Sequence, residues 1–146
     1  MSVSIDQSLL HQTSSTIKLV QGDTKPPLVT SLSSEIINTS TGVLETIPLD
    51  ISNSTVVLKM RQASNTKNVI DVVDGTLITG YEMSNGYVIT TPPYDIPGSG
   101  GRVVFNWNEN SLSVPGDLQG EIEITYQDQT IQTVYNIVKF KVREQF

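Results

Sequence analysis

Thr55-Val56-Val57-Leu58-Lys59-Met60-Arg61-Gln62 alternates along its whole length. Val56, Leu58 and Met60 fall on one parity, and Val57, Lys59 and Arg61 on the other. Successive side chains of a strand point to opposite faces, so this spacing predicts a half-buried β-strand. Residues 102–108 repeat the pattern, with Val103, Phe105 and Trp107 on one face. Residues 121–126 repeat it again, with Ile122, Ile124 and Tyr126 inward. These six residues are the expected core anchors. Composition agrees with the pattern. Val, Ile and Thr number 46 of 146 residues, and Ala63 is the single alanine. β-branched side chains suit a pleated sheet and lose rotamer freedom in a helix. The chain therefore reads as all-β.

Between these strands lie turn signals. Gln21-Gly22-Asp23 stops a strand over 16–20, and Pro26-Pro27 then imposes an extended path without backbone donors. Residues 28–46 hold Ser, Thr and Asn clusters and read as a strand plus a long loop. Residues 65–68 read as a turn, and residues 69–73 as a strand closed by Asp74-Gly75. Ser84-Asn85-Gly86 reads as a hairpin tip. Residues 131–142 read as one long strand whose apolar parity switches, which places a β-bulge near 136–138. Seven or more short strands at such spacing predict an antiparallel, immunoglobulin-like β-sandwich over residues 16–146. Residues 1–15 are polar apart from Ile5, Leu9 and Leu10, and read as an N-terminal arm made for assembly.

The formal net charge is −6, and the nine basic residues are scattered except for Lys139, Lys141 and Arg143. Phosphate contacts need clustered Lys and Arg, so no nucleic-acid partner is expected. No apolar run approaches the ~20 residues that span a bilayer, so no membrane partner is expected either. The N-terminus has no secretory pattern, which places synthesis in a cytoplasm. Cysteine is absent, which removes disulfide and thiolate chemistry.

No catalytic constellation stands out. The one histidine, His11, lies in the N-terminal segment, where it reads as a surface or interface residue. One histidine without cysteine does not make a zinc site, and Asp71-Val72-Val73-Asp74-Gly75 lacks calcium-loop spacing. Gly98-Ser99-Gly100-Gly101 lacks the Lys-Ser/Thr of a phosphate loop. Glu121 and Glu123 share a strand face, whereas glycosidase carboxylates usually stand across a cleft. Tyr81, Tyr87, Tyr94 and Trp107 are candidates for sugar stacking, but such residues more often fill cores or interfaces. Neither cofactor nor metal is expected, and no enzymatic activity.

Four patches in a fixed order carry a resemblance. They are Thr16-Ile17-Lys18-Leu19-Val20-Gln21-Gly22-Asp23-Thr24, then Val56–Arg61, then Gly101–Trp107, then a closing hairpin over 116–142. Together they resemble the N-terminal immunoglobulin-like domain of phage upper baseplate proteins. The resemblance implies a structural virion protein. Such a protein is a docking module of tail or baseplate that attaches fibres or receptor-binding proteins and assembles as a homo-oligomer with other virion proteins. It also implies that Gln21, Gly22, Asp23 and Thr24 form a structural turn. Two departures widen the choice. The turn Gln127-Asp128-Gln129 lacks the usual glycine, and the C-terminal region common in the family does not follow Phe146. A capsid decoration or head-fibre protein, and a carbohydrate-binding adhesion module, are the alternatives.

Overall fold

The computed structural model describes residues 16–146 and the strand path of residues 3–9. Its strands are β1 (Val3–Leu9), β2 (Ile17–Val20), β3 (Leu28–Ile37), β4 (Leu44–Pro48), β5 (Thr55–Gln62), β6 (Asn65–Leu77), β7 (Tyr81–Glu82), β8 (Val88–Ile89), β9 (Arg102–Phe105), β10 (Gly116–Thr125), β11 (Ile131–Thr133) and β12 (Val138–Arg143). There is no helix among the described residues, so the chain is all-β. Ten strands share one hydrogen-bonded sheet in the order β1-β3-β9-β6-β5-β10-β12-β2, with β4 beside β3 and β11 beside β10. β7 and β8 form a separate hairpin. All pairs are antiparallel except β12 with β2.

β6 is what makes this one curled sheet. Its first part pairs with β5 as far as Val57↔Asp74. Its last three residues pair instead with β9, from Gly75↔Phe105 to Leu77↔Val103. The expected turn at Asp74-Gly75 is therefore corrected: the strand runs straight through and changes partners. Gly75 permits the change through its missing side chain. A Cβ there would lie 2.6 Å from Val103 Cγ2 and 2.9 Å from the Val56 carbonyl oxygen. The glycine serves close approach across the fold, one of the uses glycine has inside strands.

Three other local readings change. The loop expected within 28–46 is a hairpin, because Asn38 Oδ1 accepts from Ser40 N and Thr41 N and so turns β3 into β4. The turn expected at 65–68 is a bulge inside the β5–β6 ladder, which jumps from Gln62↔Asn65 to Arg61↔Val69. The long last strand divides into β11 and β12. Gly120 pairs with Val138 but Glu123 with Thr133, so the partner side carries two extra residues. The expected switch of parity does not occur: two extra residues preserve it, and Val134 is buried like Val138 while Ile131, Tyr135 and Ile137 are exposed.

The curl encloses one core. Leu28 and Leu32 of β3 and Val103 and Phe105 of β9 meet Val56, Leu58 and Met60 of β5. Ile122 and Ile124 of β10 and Phe140 of β12 complete it. Each such side chain stabilises the fold by about 1.5–3 kcal/mol on burial. Trp107 is buried too, edge-on to Phe140 at 5.6 Å between ring centroids. Tyr126 packs half-buried against the same cluster.

Candidate functional site

The Gln21–Thr24 turn sits where three distant segments meet. Gln21 N donates to Arg143 O at 2.9 Å, at the end of β12. Gln21 Nε2 donates to Ser113 O at 3.0 Å, and its Oε1 accepts from Gln145 N at 3.4 Å. Gly22 N donates to Leu112 O at 2.9 Å with φ at +81°, a conformation that favours glycine. Asp23 N closes the turn onto Val20 O. Among the described residues the side chain that ties the turn is Gln21, whereas Asp23 contributes through its backbone. Thr24 is exposed.

This joint fixes β2 beside β12, and that pairing assembles a surface the sequence disperses. Lys139, Lys141 and Arg143 project from the solvent face of β12. Register sets Lys18 of β2 directly against Lys141. On β5, Lys59 and Arg61 continue the same face through Glu121 and Gln119 of β10. Six of the nine basic residues of this acidic chain therefore share one sheet face. The acids among them are Asp117, Glu121 and Glu123. Lys59 is committed, with Nζ 2.7 Å from Glu123 Oε2, and that carboxylate holds its pKa above the usual lysine value. Arg61 Nε donates to Gln119 Oε1 at 3.0 Å. Arg143 lies over the Phe146 ring at 4.9 Å.

Lys141 stands in register between Asp117 of β10 and Lys18 of β2, and among the described residues Lys18 has only Lys141 beside it in the ladder. Like charges placed directly opposite destabilise a sheet. Two shallow grooves flank the pair. One of about 410 Å³ is lined by Lys18, Leu19, Val20, Lys141 and Arg143. The other, of about 430 Å³, includes Lys18, Asp117, Lys139 and Lys141. Among the described residues β2 pairs only with β12, so its other backbone edge is open. Alternation exposed the Lys139–Arg143 row in the sequence. Nothing local signalled Lys18, because a parallel pairing of residues 123 apart leaves no local pattern.

The other candidates disperse. Tyr81 and Tyr94 pack on each other at 5.2 Å, Trp107 is buried, and Tyr87 projects alone from the β7–β8 hairpin. Glu123 is held by Lys59 on the solvent face of β10, and Glu121 borders a small groove with Lys59, Arg61 and Gln119, with no second carboxylate among the described residues facing it across that groove. The glycine-rich loop is a packing element, since Leu32 N donates to Gly101 O at 2.8 Å. Among the described residues no group of three or more His, Asp or Glu is placed to hold a metal ion. Ile5 and Leu9 belong to β1, which runs along β3 from Val3↔Ile36 to Leu9↔Thr30. Their side chains, and Leu10 and His11 altogether, lie outside the described residues.

No protein-family model and no curated protein matches the sequence. Among solved structures the chain is similar to a family 123 glycoside hydrolase from Clostridium perfringens, described for glycolipid glycan hydrolysis. The likeness has a TM-score of 0.45 and 13% identity, over 99% of this chain and 27% of that one. At that identity and score no functional parallel follows.

Proposed function

We propose that this chain is a structural phage virion protein, an immunoglobulin-like docking module of the tail or baseplate that holds other virion proteins. Strand order supports the immunoglobulin-like part. β3-β9-β6 runs as B-E-D, and β5-β10-β12 as C-F-G, in the two halves of that fold. The continuous β6 is then a bridge between halves that are usually separate. The resembling patches form β2 with its turn, β5, β9 with Trp107, and the β10–β12 face.

Fold alone does not give function. The observation that carries the docking role is the Lys18–Lys141 pair beside an open strand edge. It is a cost to the free domain that a bound partner removes. β1, at the opposite end of the sheet order, fits the proposed assembly arm, since an edge strand can be exchanged with a neighbouring subunit. Immunogold electron microscopy of purified particles, with antibody raised against this chain, tests the reading. Gold at the tail tip supports it. Gold on heads transfers the role to capsid decoration, and unlabelled particles overturn it.

A further inference from the structure

We propose that the open edge of β2 receives an extended acidic segment of a partner protein, added as a further strand. The inference deepens the docking role and rests on it only in taking the partner to be a protein. Three features of the edge define the occupant.

First, the backbone of β2 offers donors and acceptors on the side away from β12, and only another strand matches them at regular spacing. Second, the side chains of β2 alternate. Lys18 faces solvent, whereas Leu19 is buried and Ile17 packs against the core. A strand laid beside β2 shares these faces, so its outward residues meet Lys18 and its inward residues meet Ile17 and Leu19. The fitting segment therefore alternates acidic and apolar residues. Third, the charge is uncompensated on the β2 side. Asp117 is paired directly with Lys141 on the side away from Lys18, Glu121 lies opposite Lys59, and Glu123 is already bound to Lys59. A carboxylate arriving beside Lys18 relieves its repulsion with Lys141. The 410 Å³ groove along Lys18, Leu19, Val20, Lys141 and Arg143 gives its side chains room.

Repulsion in the free state and attraction in the bound state make an unusual signature. Lys18→Glu replaces the like pair by an opposite one. It should raise the melting temperature while weakening binding. Replacing a residue that only stabilised the fold would instead lower the melting temperature.

The test uses the full chain and an eight-residue blocked peptide with Glu at alternate positions and Val or Thr between them. Titration followed by backbone amide spectra should saturate, with the largest shifts over Ile17–Val20. Affinity should fall as salt rises from 0.05 to 0.5 M, because exposed charges are screened, with a Debye length of roughly 10 Å at 0.1 M and less above. Lys18→Glu should weaken binding at least about tenfold, which corresponds to 1.4 kcal/mol, with the fold retained. Absence of saturation overturns the proposal. Equal binding of a block-ordered peptide of the same composition, or of inorganic polyphosphate, also overturns it, because charge alone is then recognised. Self-association that buries β2 in sedimentation experiments overturns it in favour of a second copy as occupant. None of these results bears on particle localisation, so the two readings fail separately.

Discussion

The indole N–H of Trp107 donates to the carbonyl oxygen of Pro26 at 2.8 Å, joining residues 81 apart in sequence. The bond satisfies the one polar atom of a buried ring and anchors the segment that leads into β3. The same ring meets Phe140 edge-on. Trp107→Ala should cost about 3–5 kcal/mol in chemical denaturation. Trp107→Phe keeps the aromatic body but leaves the Pro26 oxygen unpaired, and should cost about 1–3 kcal/mol. A stable, fully folded Trp107→Ala would place this residue outside the core.

Gly75 lets β6 change partners. Gly75→Ala forces a methyl into space occupied by Val103, Phe105 and the Val56 carbonyl. The backbone oxygen has no rotamer in which to escape. Overpacking of this kind costs roughly 1–3 kcal/mol. Urea midpoints of the two proteins give the comparison, and an unchanged midpoint would mean that β6 passes elsewhere.

Gln129 adopts φ of +72° in the turn between β10 and β11, the position where a glycine is the usual residue. Asp128 holds the turn by accepting from the Thr130 hydroxyl at 2.5 Å and from Thr130 N at 3.0 Å, and these bonds depress its carboxyl pKa. The left-handed conformation costs a non-glycine residue about 1–2 kcal/mol, partly offset by the greater chain entropy of glycine. Gln129→Gly should stabilise the domain by about 0.5–1 kcal/mol. A loss of thermal stability would contradict the turn geometry.

Alkaline pH should weaken the fold. Burial raises the Tyr126 pKa, and the bond to Glu123 raises that of Lys59. A group whose folded pKa lies above its unfolded one contributes stability fully present below the unfolded value. That contribution is lost as pH rises through the folded value. The loss should therefore begin near the ordinary tyrosine pKa of about 10 and continue above it. Tyr126→Phe should flatten the first part of the decline in urea midpoint against pH. An identical decline in both proteins would assign the loss elsewhere.

The all-β class and the core were legible because burial follows strand alternation. Val103, Phe105, Ile122 and Ile124 are fully buried on the faces their spacing assigned. Long-range pairing was less legible. Gly75 carries the Asp-Gly signature of a turn, yet the decisive contact is with β9, some 30 residues later. The Ser- and Thr-rich hairpin of β3 and β4 read as a loop because β4 is almost wholly exposed and leaves no apolar pattern. The basic face was half visible. Its Lys139–Arg143 row shows in one strand, whereas Lys18 arrives only through the parallel ladder.

Quantitative mass spectrometry of gradient-purified particles, produced by the genome that encodes this chain, tests the docking account most directly. The account predicts that the chain co-purifies with tail proteins at a fixed, integral ratio and survives repeated banding. A chain found only in the soluble fraction of the infected cells, with particles complete without it, would contradict the account.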